Sequence, residues 1–347
     1  MKGKNKKSWW LAAAGIAAVA AYTTLKRTRP IYDFQNRVVL ITGGSRGLGL
    51  VLARQLAEKG ARVAICARNQ EELLRAKEDL ETRGAAVFQT VCDVRNQSEV
   101  NRMIEAVRNH YGQIDVLINN AGVIQVGPLE VQTQTDFETA MAIHFWGPYY
   151  TMNAVLPEMK QRGEGRIVNI SSIGGKMSVP HLAPYCASKF ALVGLSGAMR
   201  VELAKDNIFV TTVCPGLMRT GSHVNAVFKG QNEKEFAWFS VGNSLPVSSI
   251  NVERAAEQII QASGRGDAEL IISIQAKIAA KMNNLFPELT ADVSSLVNRI
   301  LPEAGGIGTN HALGRESESA ISPSILTALS DRESRQNNEL EPDEQLN

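Results

Sequence analysis

Along most of the chain, short apolar runs rich in β-branched residues alternate with longer stretches whose apolar residues recur every three or four positions. The first pattern is typical of buried strands and the second of amphipathic helices. Their regular alternation, from Arg37 to about Leu301, predicts a parallel sheet covered by helices on both faces. We therefore expect an α/β protein with a doubly wound parallel sheet.

Seven segments have the strand pattern: RVVLI, ARVAIC, AVFQTV, IDVLIN, GRIVNI, IFVTTV and AELIIS. Five stretches have helical periodicity: GLVLARQLAEKG, QEELLRAKEDLETRG, SEVNRMIEAVRNHYG, a segment from about Thr135 to Gln161, and YCASKFALVGLSGAMRVELAKD. The pattern weakens over residues 221–246, which we expect to form a loop region over a substrate pocket. Its three large aromatic residues either line that pocket or pack the loop down, and the sequence supports both equally: Phe236, Trp238 and Phe239.

The first 29 residues differ from the rest of the chain. Four lysines precede an uncharged stretch from Ser8 to Leu25, and three basic residues follow it. As a helix, the apolar part, residues 9–25, would be about 25 Å long, at the short end for crossing a hydrocarbon core of about 30 Å. Tryptophans at one end and a tyrosine near the other favour a single-pass membrane anchor. A cleaved signal peptide and a surface-lying helix are the alternatives.

The other end of the chain is polar. Residues 315–347 carry eight acidic residues against three arginines. Such a composition cannot bury enough apolar surface to offset the entropy of ordering. We expect residues 303–347 to form an acidic, disordered tail and residues 30–302 to form the single folded domain.

Composition excludes several classes of function. The chain is 44% hydrophobic and 21% charged, with a net charge of +2. Nucleic-acid binding would normally require a basic stripe, so no nucleic-acid partner is expected. The four cysteines are scattered, with no C-x-x-C pair and no histidine at ligand spacing, so we expect buried, reduced thiols and no metal site. These cysteines are Cys66, Cys92, Cys186 and Cys214.

The segment TGGSRGLG, residues 42–49, lies between the first strand and the first helix. Glycines in that setting let the backbone turn sharply and approach a pyrophosphate, whose charge then lies at a helix N-terminus. The spacing is T-G-x-x-x-G-x-G, on Gly43, Gly47 and Gly49, rather than G-x-G-x-x-G. This turn therefore predicts a dinucleotide site.

The end of the second strand indicates which dinucleotide binds. A carboxylate at that place would hold the ribose hydroxyls, but the sequence has Ala67 and Arg68. An arginine can bind a 2′-phosphate bidentately, whereas a carboxylate would repel it. Arg68 therefore favours NADP(H) over NAD(H), although a solvated residue at a helix start remains the alternative.

The segment YCASK places Tyr185 and Lys189 four residues apart, on one face of a helix. A free tyrosine has a pKa near 10 and is a poor base at neutral pH. A nearby ammonium and an oxidised nicotinamide would together lower that pKa by about three units, or roughly 4 kcal/mol. Thirteen residues before Tyr185, Ser172 ends a strand and can hydrogen-bond a substrate oxygen. Its neighbour Ser171 is the other candidate.

These motifs in this order resemble the short-chain dehydrogenases/reductases, over roughly Arg37 to Ile272. The resemblance implies a Rossmann-like sheet, with Tyr185 as general acid–base and Lys189 beside it on the nicotinamide ribose. The family's spacing between serine and tyrosine selects Ser172 for the substrate oxygen. His144 occupies the position where the family usually has a catalytic asparagine. A proton-relay role and a packed histidine are equally supported there.

The resemblance also implies the cofactor contacts. Arg46 lies on the same side of the site as Arg68, Asp93 bonds the adenine amino group, and the CPGLMRT segment holds the nicotinamide. The full set of expected cofactor contacts is Thr42, Gly43, Ser45, Arg46, Gly47, Leu48, Gly49, Arg68, Asp93, Val94, Asn119, Ala121, Gly122, Tyr185, Lys189, Pro215, Gly216 and Thr220.

The sequence thus predicts an NADP(H)-dependent oxidoreductase that interconverts a carbonyl and an alcohol by hydride transfer. The anchor suggests an apolar or lipid-like small-molecule substrate, and NADPH supply suggests a domain facing the cytosol. A membrane-tethered NADP(H)-binding sensor or scaffold without turnover is the alternative, motivated by His144 and the acidic tail. Homodimers or homotetramers are usual in the family that the chain resembles.

Overall fold

The computed structural model describes residues 31–244, 249–319 and 328–340. The apolar stretch 9–25, predicted to be a membrane anchor, lies outside the described residues. Within those three ranges, no helix combines the length and the apolar character that crossing a membrane requires.

Twelve strands occur in the described residues: β1 (Val38–Thr42), β2 (Arg62–Ala67), β3 (Val87–Val91), β4 (Val116–Asn119), β5 (Gln125–Val126), β6 (Gly165–Ile170), β7 (Ile208–Pro215), β8 (Leu217–Arg219), β9 (Val227–Phe228), β10 (Ser249–Asn251), β11 (Glu269–Ile272) and β12 (Ala312–Leu313). Seven of them form one parallel sheet in the order β3-β2-β1-β4-β6-β7-β11. They are the seven strands that the sequence predicts. The doubly wound α/β class is confirmed.

Eleven α-helices lie in the same ranges: α1 (Gly47–Glu58), α2 (Gln70–Thr82), α3 (Gln97–Tyr111), α4 (Gln134–Met141), α5 (Gly147–Arg162), α6 (Ala183–Leu203), α7 (Asn232–Ser244), α8 (Val252–Arg265), α9 (Ile274–Leu285), α10 (Pro287–Asn298) and α11 (Ala328–Gln336). A π-helix, Ala142–Trp146, joins α4 to α5. The predicted helix from Thr135 to Gln161 is therefore three consecutive segments.

Helices flank the central sheet on both faces. Helix α1 packs against α2 and α8, while α3 packs against α5. All five residues of β1 are buried, as expected for a parallel strand covered on both faces. A core cluster joins β1 and β4 to α3 and α5 through side chains such as Leu40, Leu117, Met103 and Val155.

The weakly patterned region 221–246 contains β9 and α7 rather than only a loop. Two small sheets surround it, with β9 pairing with β5 and β12, and β8 pairing with β10. Helix α7 has no clear apolar periodicity because it buries polar side chains, among them Glu235, Ser240 and Ser244. Each of these side chains makes a hydrogen bond, which allows it to be buried. The buried face of the helix therefore contains polar residues and shows no apolar pattern in the sequence.

The structure also differs from the expected disordered tail over residues 303–319 and 328–340. Strand β12 pairs with β9, and α11 is followed by a segment in which Asn337 and Glu339 are buried. Arg54 and Arg75, on α1 and α2, donate hydrogen bonds to this segment. Composition misses this order because polar contacts, not apolar burial, hold the segment.

Candidate active site

A cleft of about 790 Å³ opens at the carboxyl ends of β1, β2, β4 and β6. Strand order reverses between β1 and β4, and ligands of open α/β sheets bind at such a point. A smaller pocket of about 130 Å³ adjoins the cleft. Tyr185 and Thr220 line both. The site therefore has one large compartment and one small compartment that share a catalytic candidate.

The glycine turn at the cleft floor fits a dinucleotide. Gly43 and Gly47 have φ angles of +63° and +54°, which side-chain-bearing residues rarely adopt. A Cβ on Gly49 would lie 2.0 Å from the Gly43 carbonyl oxygen. Helix α1 begins there without a side-chain cap from its N-cap residue, Arg46, and without an acid in its first turn. A glycine-lined helix N-terminus without a side-chain cap suits a pyrophosphate.

Most of the expected cofactor contacts line the cleft: Gly43, Ser45, Arg46, Gly47, Leu48, Arg68, Asp93, Val94, Ala121, Gly122, Tyr185, Lys189 and Thr220. Pro215 and Gly216 instead line the smaller pocket, again with Thr220. Within the described residues, three expected contacts line neither compartment: Thr42, Gly49 and Asn119.

Thr42 and Asn119 support the cleft from beneath. The Thr42 hydroxyl accepts hydrogen bonds from the backbone N–H groups of Asn120 (3.0 Å) and Ala121 (3.1 Å). Asn119 is buried, and its side chain donates to Asn169 Oδ1 at 2.9 Å. Asn120, which the sequence reasoning missed, lines the cleft and donates to the Thr42 and Gly43 carbonyls. In this structure Asn120, and not the predicted contact Asn119, lines the cleft.

One end of the cleft gathers charged side chains. Arg46 Nη1 lies 2.9 Å from Oε1 of Glu72, whose Oε2 accepts from the Ser45 hydroxyl at 3.0 Å. Arg68 lines the same end. Glu72 was missed by the sequence reasoning, although a signal was present: Asn69 caps α2, which places Glu72 in its first turn beside the end of β2.

The three catalytic candidates meet where the two compartments join. Ser172 follows β6, and its hydroxyl accepts from the Gly174 N–H at 3.1 Å and hydrogen-bonds Tyr185. Lys189 Nζ donates to the Ile170 carbonyl at 2.9 Å and lies 5.5 Å from the centroid of the Tyr185 ring.

The other candidate serine, Ser171, also lines both compartments, but its hydroxyl is engaged by the backbone. Ser171 is buried, and its hydroxyl donates to the Lys189 carbonyl at 3.0 Å. Since its one proton is used in that bond, Ser171 fixes the lysine backbone. Ser172 is the serine beside Tyr185.

Burial sets the protonation states of this pair. Burial raises the pKa of Tyr185 to about 12, and the Ser172 hydrogen bond only partly opposes it. Burial also lowers the pKa of Lys189 to about 7. The phenol is therefore protonated at neutral pH, and a lowering of its pKa by Lys189 together with an oxidised nicotinamide stays a prediction.

The Lys189 pKa gives a stability prediction. Its pKa is about 7 in the folded chain against 10.5 for the free side chain. Between these values the unfolded chain binds more protons, so this group makes the free energy of unfolding rise with pH by up to about 1.4 kcal/mol per unit. Urea unfolding at pH 7, 8 and 9 should show that rise in the wild type and a smaller one in Lys189→Met. Parallel curves for the two proteins would contradict it.

His144 is buried within the π-helix, and both of its ring nitrogens are engaged. Nε2 accepts from the Val123 N–H at 3.1 Å, so Nδ1 carries the proton and donates to the Ser188 hydroxyl at 2.7 Å. Ser188 in turn donates to the Tyr185 carbonyl at 2.8 Å. Burial, then the nearby Lys189 charge, hold the pKa of His144 well below 6.5. His144 thus ties the loop after β4 to the catalytic helix as a neutral, packed histidine.

The smaller pocket is mainly apolar. Ser172 and Tyr185 lie at one end of it, and its other walls include Ile124, Ile173, Val179, Leu182, Leu217, Met218 and Phe239. Of the three aromatic residues of α7, Phe239 lines the pocket, while Phe236 packs on Phe228 with ring centroids 5.3 Å apart. Both roles considered for these aromatic residues therefore occur.

A buried polar contact fixes α7 over this pocket. His181 Nδ1 lies 2.7 Å from Glu235 Oε1, and the Trp238 indole N–H donates to Glu235 Oε2 at 2.7 Å. His181 belongs to the segment that follows Ser172, so the contact joins both pocket walls. Sequence reasoning missed this pair, because neither residue belongs to a recognisable motif.

Comparison with known proteins agrees with this geometry. Residues 37–229 match the family model described as short chain dehydrogenase. A Streptomyces coelicolor protein, provisionally named ketoacyl reductase, is 40% identical over 242 residues, 67% of this chain and 92% of that protein. The actinorhodin polyketide ketoreductase with NADPH is 32% identical, with a TM-score of 0.60, over 68% of this chain and 95% of its own. NAD⁺-bound xylitol dehydrogenase is 26% identical, with a TM-score of 0.60, over 69% of this chain and 98% of its own.

Proposed function

The chain belongs to the short-chain dehydrogenase/reductase family, and from that premise we propose an NADP(H)-dependent enzyme that interconverts an apolar carbonyl compound and its alcohol. One observation carries the proposal. Ser172, Tyr185 and Lys189 meet where a dinucleotide-sized cleft joins a small apolar pocket. Such convergence of polar groups on two adjoining compartments is what hydride transfer between two bound molecules requires.

When bound, the nicotinamide cofactor supplies or accepts the hydride. The protonated Tyr185 hydroxyl donates its proton to the substrate oxygen during reduction. Ser172 accepts from the Gly174 N–H, which leaves its own proton to hydrogen-bond the same oxygen and stabilise charge developing there. Lys189, close under the Tyr185 ring, is placed to hold the ribose hydroxyls and to exchange protons with the phenol. In the oxidation direction, Tyr185 accepts the proton instead.

The preference for NADP(H) is supported by Arg46 and Arg68 at the charged end of the cleft. The two positions at the end of β2, Ala67 and Arg68, carry no carboxylate, and the Glu72 carboxylate beside them is paired with Arg46. Glu72 forms an ion pair with Arg46 and neutralises part of its charge. Arg68 is therefore the guanidinium that we propose to bind the 2′-phosphate.

Arg68→Ala should raise the KM for NADPH by about 10- to 100-fold, since a charge-assisted hydrogen-bonded pair contributes roughly 1.5–3 kcal/mol. The KM for NADH, which has no 2′-phosphate, should change little. Arg83→Ala is a matched control, because Arg83 is exposed at the other end of α2 and pairs with Asp79. Steady-state kinetics with both cofactors checks this. An equal loss for NADH and NADPH would contradict the 2′-phosphate role.

The apolar walls of the smaller pocket support an apolar or lipid-like substrate. The proposal includes the N-terminal apolar stretch 9–25 as a membrane anchor and a domain on the cytosolic side, where NADPH is supplied. Turnover of lipid-like carbonyl compounds in preference to small polar ones is the test of the substrate class.

A further inference from the structure

Residues 336–340, the last residue of α11 and the four that follow it, lie across the glycine turn, and we name them the C-terminal strap. The Gly47 N–H donates to the Asn337 carbonyl at 2.9 Å. The Asn338 side chain donates to the Ser45 carbonyl at 2.9 Å and to the Glu72 carbonyl at 3.0 Å. The strap thus uses the backbone groups at which the first helix begins.

The acidic side chain of the strap enters the cofactor cleft. Glu339 is 4% exposed and lines the cleft. Its Oε2 lies 3.4 Å from Arg46 Nε and accepts from the Asn225 amide at 2.7 Å. Its Oε1 lies 2.5 Å from where a Cβ on Gly47 would be, with Thr220 on the far side. A carboxylate therefore lies at the helix N-terminus that suits the pyrophosphate, where Arg46 provides no side-chain cap.

The strap is held by contacts that have no catalytic use. Arg54 donates to the Asn337 side chain and to the Gln336 carbonyl, both at 3.0 Å. Arg75 Nε donates to Asn338 Oδ1 at 2.8 Å. Neither Arg54 nor Arg75 lines the cleft or the smaller pocket. Such bonds stabilise one position of the strap without requiring a bound cofactor.

We propose that the C-terminal strap is autoinhibitory: Glu339 occupies the anion site of the glycine turn, and a dinucleotide binds only when the strap leaves. This inference rests on the proposed function. A pyrophosphate cannot share this place with the Glu339 carboxylate beside Arg46, since like charges at that distance repel, and the Asn337 carbonyl already accepts from the Gly47 N–H. The apparent affinity for either dinucleotide is then reduced by the fraction of molecules with the strap released.

Two variants of the full-length chain test the strap by different means. Glu339→Gln removes the charge and keeps the shape, while Asn338→Ala removes the side-chain bonds to Ser45, Glu72 and Arg75 and leaves every charge in place. Both should tighten binding of NADPH and of NADH, by about tenfold, because both dinucleotides carry the pyrophosphate. Glu288→Gln, an exposed acid on α10, is the charge-matched control and should bind as wild type does.

Amide hydrogen exchange supplies the structural readout. Saturating NADPH should speed exchange over residues 334–340 of the wild-type chain. Unchanged or slower exchange there, or unchanged affinity in both variants while the wild type still binds NADPH and turns over, would overturn the strap proposal alone. Failure of wild type and both variants to bind any dinucleotide would overturn the proposed function as well.

Discussion

Replacing Tyr185 by Phe should lower kcat by about 10²- to 10⁴-fold, the range for loss of a positioned general acid. The substitution removes one hydroxyl, which hydrogen-bonds Ser172 and points to where the two compartments join. The ring packing against His144, with centroids 5.5 Å apart, is kept. NADPH affinity should therefore change little.

The measurement is steady-state turnover together with NADPH binding by fluorescence titration. Tyr149→Phe is the matched control, since Tyr149 lies on α5 beside Trp146 and outside both compartments. It should retain wild-type kcat. A Tyr185→Phe enzyme with more than about a tenth of wild-type kcat would contradict the assignment of the phenol as the proton donor.

Gly49→Ala should destabilise the fold and disrupt the cofactor site together. The added Cβ would lie 2.0 Å from the Gly43 carbonyl oxygen and 2.6 Å from the Asn120 amide nitrogen. The first atom belongs to the glycine turn and the second to the Asn120 side chain that donates to it, so relief of the clash must move the turn or that side chain. Overpacking of this kind costs about 1–3 kcal/mol or more of unfolding free energy. NADPH affinity should fall at least about tenfold, because each 1.4 kcal/mol of lost binding is tenfold.

Urea unfolding and NADPH titration of Gly49→Ala check this prediction. Gly197→Ala is the control: Gly197 lies in α6, and a Cβ there meets no atom within 4 Å. Because alanine favours a helix more than glycine does, the control should gain about 0.5–1 kcal/mol. Wild-type stability and NADPH affinity in Gly49→Ala would show that the turn tolerates a side chain.

The central sheet could be predicted because each of its strands is marked by a short sequence of its own. Each parallel strand is covered on both faces and reads as a continuous apolar run, as β1 and β4 do. The catalytic helix could also be predicted, since a spacing of four residues fixes Tyr185 and Lys189 on one face. The comparisons then support the same class of chemistry.

What sequence reasoning missed depends on polar contacts between distant segments. The strap, and the pair of His181 with Glu235, are held by hydrogen bonds across 54 or more positions, and no periodicity marks them. Asn119 and Asn120 are adjacent and chemically identical, so only the twist of the chain at the end of β4 decides which lines the cleft. The contacts of His144 with the Val123 N–H and the Ser188 hydroxyl likewise join distant segments, and the sequence alone does not show them.

The most direct test of the whole account is NADPH consumption by the purified full-length chain, with apolar and small polar carbonyl compounds as substrates and NADH in parallel. The account predicts turnover of apolar carbonyl compounds with NADPH preferred. Tight NADPH binding without turnover of any carbonyl, or of any alcohol with NADP⁺ in the reverse direction, would contradict it and leave a dinucleotide-binding protein that does no chemistry.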